Sequence, residues 1–267
     1  MNGIERITAA FQTAKNNGRA ALVPYFTAGY PTLEASIQIV SAIASSGADL
    51  IELGVPFSDP LADGPTIQHS AQAALQEGMT LRKTLEMVRG LRRSGVTQPI
   101  ILMGYANPFL AYGLAAFTKD AREAGVDGVI VPDLPYDEGG ELEALCRAEG
   151  LAVVYMLAPT SSPERICGAC ARTSGFLYLV SLTGVTGART GLPADLADFV
   201  GRVRVSARTP VAVGFGISTP EQARAVGKIA DGVIVGSAVI NAASGADDPA
   251  RAAGLLVQSL RGALEGA

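Results

Sequence analysis

Eight short apolar runs rich in strand-forming residues recur along this chain, at residues 20–26, 49–53, 99–103, 128–131, 152–157, 176–180, 211–213 and 232–235. A strand buried on both faces reads as a continuous apolar run, whereas a half-buried one alternates with polar residues. Between the runs lie segments with helical spacing, such as 33–45, 81–93, 110–124, 138–149 and 220–228. Repeated β-then-α units specify a parallel sheet with helices packed outside it. Three units share punctuation: Gly47-Ala48-Asp49, Gly125-Val126-Asp127 and Ala230-Asp231-Gly232 each mark a helix ending and the chain turning into a buried strand. No Pro/Ser-rich linker or shift in composition divides the 267 residues. The units therefore predict one (β/α)8 barrel of the TIM type over residues 1–267, with an open parallel sheet as the alternative. Residues 4–15 predict a helix that closes the bottom of the barrel, and residues 66–77 an extra helix after the second strand.

Composition narrows the chemistry. With 48% apolar and 17% charged residues and a net charge of -4, the chain is neither a disordered segment nor a polyanion-coating one, and it has no basic cluster. Residues 1–7 lack the pattern of a secretory signal, which predicts a cytoplasmic protein. The uncharged stretch 94–118 is interrupted by Pro99, Gly104, Asn107 and Pro108, so it reads as a strand, a loop and a helix start and not as a membrane span. Cys146, Cys167 and Cys170 are too few for a disulfide framework. Cys167 and Cys170 have C-x-x-C spacing but no second pair, and the only histidine, His69, is remote in sequence; the expectation is no metal, with both cysteines as small residues on one helix face.

In a barrel of this kind the active site forms at the C-terminal ends of the strands. Glu52 lies between Ile51 and Leu53 at the end of the second run, so water is stripped from its carboxylate and its pKa rises toward a proton-transfer range. The loop that follows supplies Asp59 and Asp63, and Asp63 before Gly64-Pro65 reads either as a site carboxylate or as a helix N-cap. Tyr105 follows the third run. Asp133 follows the fourth and reads either as a site group or as the cap of the next helix, while Tyr178 in the sixth reads as a site residue or as core. Glycine-rich turns follow the last three runs: Gly184 to Gly187, Gly214 to Ser218, and Gly236-Ser237-Ala238. Backbone N–H groups at such turns, with a helix opening at Ser237, suit a phosphate. Residues 183–192, with three glycines and Arg189, read as a lid that closes over substrate.

The segment Glu52-Leu53-Gly54-Val55-Pro56-Phe57-Ser58-Asp59-Pro60-Leu61-Ala62-Asp63-Gly64-Pro65-Thr66-Ile67-Gln68 resembles the signature of the tryptophan synthase alpha chain family. The resemblance extends in order through Val23-Pro24-Tyr25, Thr27-Ala28-Gly29, Leu102-Met103, Tyr105, Asn107-Pro108, Gly184-Val185-Thr186-Gly187 and Gly214-Phe215-Gly216-Ile217-Ser218, essentially the whole chain. It implies a lyase that cleaves indole-3-glycerol phosphate to indole and glyceraldehyde 3-phosphate, with Glu52 and Asp63 as catalytic residues. Tyr25, Leu102, Tyr105, Tyr178 and Thr186 are then the substrate-binding residues, and Gly187, Gly216, Gly236 and Ser237 hold the phosphate. The chain departs from some relatives in carrying tyrosine rather than phenylalanine at 25, a hydroxyl that needs a partner. The resemblance further implies no cofactor in this chain and a pyridoxal-phosphate-dependent beta chain as partner in an α2β2 heterotetramer, with Pro56 and Asp59 in the segment that couples the subunits. A non-catalytic activating subunit and another phosphate-binding barrel enzyme are the alternatives.

Overall fold

The computed structural model describes residues 1–180, 195–214 and 216–265. Its strands are β1 (Ala21–Thr27), β2 (Ile51–Gly54), β3 (Ile100–Met103), β4 (Gly128–Ile130), β5 (Ala152–Val154), β6 (Met156–Leu157), β7 (Leu177–Val180), β8 (Val211–Gly214) and β9 (Gly232–Val235). They lie in one sheet in the order β5-β4-β3-β2-β1-β9-β8-β7-β6. Every pairing is parallel. β5 and β6 are two parts of one barrel strand parted at Tyr155, whose carbonyl still accepts from the Tyr178 N–H at 3.1 Å. The sheet thus returns on itself, and the predicted (β/α)8 barrel is the observed fold.

Around it stand α1 (Gly3–Asn16), α2 (Leu33–Ser45), α3 (Pro65–Gln76), α4 (Leu81–Arg93), α5 (Ala106–Tyr112), α6 (Leu114–Ala124), α7 (Gly140–Ala148), α8 (Pro163–Arg172), α9 (Leu196–Arg204), α10 (Pro220–Gly227), α11 (Ser237–Ala243) and α12 (Pro249–Leu264). The expected single helix over 110–124 is two, because Gly113 at φ +89° turns the chain between α5 and α6. Cys167 and Cys170 do share α8, but only Cys170 joins its buried face; Cys167 is exposed. Among the described residues no helix is long and apolar enough to cross a membrane, and no group of three or more His, Cys, Asp or Glu is placed to hold a metal.

The bottom of the barrel is closed by α1, as its apolar spacing predicts. Its buried Ile7, Phe11 and Ala14 face the strand beginnings, and Phe11 stacks on Phe176 with ring centroids 5.4 Å apart. Close approach needs glycine beneath it: a Cβ on Gly128 meets Ile7 Cδ1 at 3.3 Å, and one on Gly232 meets the Phe11 ring at 2.8 Å.

The aspartates of the three shared punctuation marks have one job. Asp49, Asp127 and Asp231 each stand one or two residues before a strand and accept, at 2.8 Å, an N–H at the start of the neighbouring strand: Leu22, Ile100 and Val211 respectively. Each is also clamped by arginine. Asp49 takes Arg19 and Arg261, Asp127 takes Arg6 and Arg92, and Asp231 takes Arg204. Asp127 is buried and, through half-buried Arg6 and Arg92, joins α1 and α4 to the start of β4, whereas both partners of the Asp231 pair are half exposed. Removing one partner of a buried pair strands the others without compensation. Asp127→Ala is therefore expected to lower unfolding free energy by about 3 kcal/mol, measured by denaturant titration, and Asp231→Ala by clearly less; equal losses would show that the clamp gains nothing from burial.

Candidate active site

Register decides which side chains reach the barrel interior, since neighbours on parallel strands share a face and successive residues alternate. Tyr25 pairs with Glu52, Glu52 with Ile101, and Ile101 with Gly128, above which lies Ile7 of the bottom helix. That face is the interior. Leu102 pairs with Leu53 and Val129 on the opposite face, turned toward the helices. The expectation that Leu102 walls the substrate pocket is thus corrected: Met103, paired with Gly54, takes the inward place at the top of β3.

Glu52 is 1% exposed and Asp63 5%. Glu52 Oε2 and Asp63 Oδ1 make no hydrogen bond among the described residues. Burial, and then the charge of Asp63, push the Glu52 carboxyl from its usual 4.5 up to about 8. Burial likewise raises Asp63 to about 6, opposed by a hydrogen bond with Tyr105. The two carboxyls therefore hold different protonation states near neutrality. Asp63 is not a helix cap, because the N-cap of α3 is Gly64 and no side chain caps that helix.

Tyrosines frame the pair. Tyr25 and Tyr178 are buried, and burial lifts both hydroxyl pKa values well above the ordinary range; the charges of Asp63 and Glu52 add to the effect. Both hydroxyls remain protonated at working pH. Each lies over a strand-end glycine: a Cβ on Gly54 would stand 2.0 Å from the Tyr25 oxygen, and one on Gly214 2.4 Å from that of Tyr178. Tyr105, the N-cap of α5, accepts the Ala62 N–H at 2.9 Å and packs its ring 5.3 Å from Phe57. It thereby holds the loop that carries Asp63. Gln68 completes the hold by donating to the Asp63 carbonyl at 2.8 Å.

Asp133 caps α5, accepting the Ala106 N–H at 2.9 Å, and not the helix that follows it in sequence. Pro56 is buried and Asp59 exposed. Asp59, with Phe57, Leu61, Tyr105, Asn107 and Asp133, lines an open cleft of about 220 Å³ beside the Asp63 loop. Gly216 follows β8 in the left-handed region at φ +78°, and Gly236 is the N-cap of α11, which Ser237 opens. Thr186, Gly187, Arg189 and the rest of the 183–192 segment lie outside the described residues. His69 is exposed on α3, with its ring edge toward Tyr30.

Two residues of the site carried little signal in the sequence. Thr27 ends β1 fully buried, and its hydroxyl lies 3.4 Å from that of Tyr25 and 2.7 Å from that of Ser70. Ser70 in turn donates to the Ile67 carbonyl at 2.8 Å. The one hint was that Ser70 falls on the same stripe of α3 as Ala71 and Ala74.

The family model for the tryptophan synthase alpha chain matches residues 11–262. The tryptophan synthase alpha chain of Roseiflexus sp. (strain RS-1) is 49% identical over 238 residues, covering 89% of this chain and 91% of that one. The Laribacter hongkongensis alpha chain is 46% identical over 267 residues, 99% and 100% of the two chains. Among solved structures, subunit alpha from Legionella pneumophila superposes with a TM-score of 0.91 at 38% identity over the full length of both chains. A chain of Mycobacterium tuberculosis tryptophan synthase gives 0.91 at 38% identity over 98% of this chain and 99% of that one. The chain belongs to the tryptophan synthase alpha chain family, lyases of tryptophan biosynthesis that cleave indole-3-glycerol phosphate to indole and glyceraldehyde 3-phosphate and leave pyridoxal phosphate to the beta chain.

Proposed function

We propose that Glu52 is the proton shuttle of this cleavage and Asp63 its charge stabiliser, acting in one barrel domain. The observation that carries the assignment is the pair of buried carboxyls at the barrel mouth whose surroundings push them to about 8 and about 6. Two groups separated in this way divide acid and acceptor roles at neutral pH. Glu52, protonated, gives its proton to the indole C3 carbon. The negative charge of Asp63 accepts the indole N–H and offsets the positive charge that develops on the ring. The carboxylate left on Glu52 then takes the proton of the side-chain hydroxyl as the carbon–carbon bond breaks. Glyceraldehyde 3-phosphate forms as the aldehyde, indole departs, and Glu52 is again an acid.

Tyr25, Tyr105 and Tyr178 border the indole and the glycerol chain in this reading, and Thr186, outside the described residues, is the remaining substrate-binding residue. The phosphate is held by backbone N–H groups at Gly187, Gly216 and Gly236 and by Ser237; the positive φ at Gly216 and the helix start at Ser237 support this. The partner is a beta chain, in an α2β2 heterotetramer in the cytoplasm. Its docking face includes the cleft at Asp59, since the same loop runs from Pro56 there to Asp63 inside. Intact Glu52 and Asp63 favour catalysis over a purely activating role.

Glu52→Gln removes the shuttle but keeps the shape, so indole formation is expected to fall at least about 100-fold with the circular dichroism spectrum unchanged; near-parent turnover rules the role out. The parent kcat/KM should be bell-shaped in pH. It falls below about 6 as Asp63 gains a proton and above about 8 as Glu52 loses its own. Asp63→Asn should cost about 100-fold and, by deleting the neighbouring negative charge, move the alkaline limb to lower pH. An alkaline limb that stays in place would separate the two carboxyls electrostatically. Asp59→Ala should reduce the rate gained on adding a beta chain more than it reduces the rate of the isolated chain, and equal losses in the two assays would remove Asp59 from subunit coupling.

A further inference from the structure

We propose that Tyr25 is a positioning residue for this reaction: its hydroxyl is a directed donor that receives the Glu52 carboxylate when that group gives up its proton. The inference rests on Glu52 as the acid–base group and adds the partner that makes its charged state tolerable. A carboxylate that is 1% exposed and has one oxygen without a hydrogen bond among the described residues is expensive to ionise. Protonated, Glu52 bears that environment. Deprotonated, it needs a donor.

The proton count of the neighbouring hydroxyls identifies the donor. Ser70 has one hydroxyl proton and spends it on the Ile67 carbonyl, which can only accept. In the 2.7 Å contact between Thr27 and Ser70, Thr27 must therefore donate. That spends the single proton of Thr27, so Thr27 cannot donate to Tyr25, and Tyr25 retains its own proton. Thr27 is a poor acceptor for it, at 3.4 Å, near the outer limit of a hydrogen bond. Tyr25 and Glu52 are lateral partners on the inward face of adjacent strands, which lie about 4.8 Å apart in a sheet. The Tyr25 hydroxyl also lies over Gly54, two residues beyond Glu52 on the same face of β2. The chain of hydroxyls thus ends in a loosely held proton on the strand position paired with Glu52, within reach of that carboxyl's charge. It also ties α3, which follows the Asp63 loop, to the Glu52 environment through Ser70.

The titratable groups that act on this corner are Asp63 from the loop, Tyr25 from β1, Tyr178 from β7 and Tyr105 from α5. Of these, only Tyr25 is changed in the test. Tyr25→Phe keeps the ring and deletes the donor, so the alkaline limb of kcat/KM and the Glu52 titration read by carbon-13 chemical shift should both move up by about half a unit to one unit. kcat should fall several-fold, with KM altered less than about twofold. Thr27→Val deletes the weak competing acceptor together with the bond to Ser70 but leaves the Tyr25 donor in place, and its alkaline limb should stay or move down. Profiles of Tyr25→Phe that superimpose on the parent, or an upward shift of the same size in Thr27→Val, would overturn the proposal. If Glu52→Gln is inactive while Tyr25→Phe titrates like the parent, only this inference fails; if Glu52→Gln turns over normally, the assignment of Glu52 itself is lost.

Discussion

Closure of a wholly parallel sheet is the constraint on which the rest of this molecule depends. Once β5 and β6 return the sheet to β7, there is no unpaired edge among the pairings described, and every inward position is fixed by the register of its neighbours. The aspartate clamps act on this register directly, because each joins the approach to one strand to an N–H at the start of the strand before it. A slip of one residue between β1 and β2 would break the Asp49–Leu22 bond and turn Glu52 outward in the same motion. Fold and chemistry are therefore secured by the same alignment.

The two carboxylates of the β2 segment show what decides the fate of such a group in this barrel. Asp49, before the strand, is held by two arginines and a backbone N–H. Glu52, three residues later, has one oxygen with no protein partner among the described residues and a carboxyl pushed to about 8. Compensated charge makes a structural joint, and uncompensated charge makes a proton reservoir. The chain places the two only three residues apart, one before the strand and one within it. The clamps described all lie at strand beginnings, whereas of the two carboxyls with raised pKa Glu52 lies within β2 and Asp63 in the loop beyond it.

Much of this was legible in the sequence because burial on both faces leaves a plain signal. The apolar runs marked the strands, and the spacing over 33–45 and 81–93 marked α2 and α4 to the residue. The Gly-Ala-Asp, Gly-Val-Asp and Ala-Asp-Gly steps mark strand beginnings, but the arginine partners of their aspartates are remote in sequence and invisible to pattern. The face of Leu102 is not legible in sequence, because in a run such as Ile100-Ile101-Leu102-Met103 every residue is apolar and composition cannot say which faces inward; pairing with Leu53 does. Asp133 capped a helix earlier in the chain, a contact made across adjacent strand ends that no local motif encodes. Thr27 and Ser70 were missed for the same reason, as two ordinary hydroxyls 43 residues apart that meet only in the folded barrel.

Gly54 and Gly214 have no side-chain chemistry, yet each is the floor beneath a tyrosine hydroxyl. An added methyl group at either place must evict the oxygen above it, since 2.0 Å and 2.4 Å are well inside any tolerable contact. In a mutational survey these positions would therefore behave as if they were functional groups. Their phenotype is transmitted by shape: the empty volume above a glycine is itself part of the reaction machinery, inherited through a residue that never touches a proton.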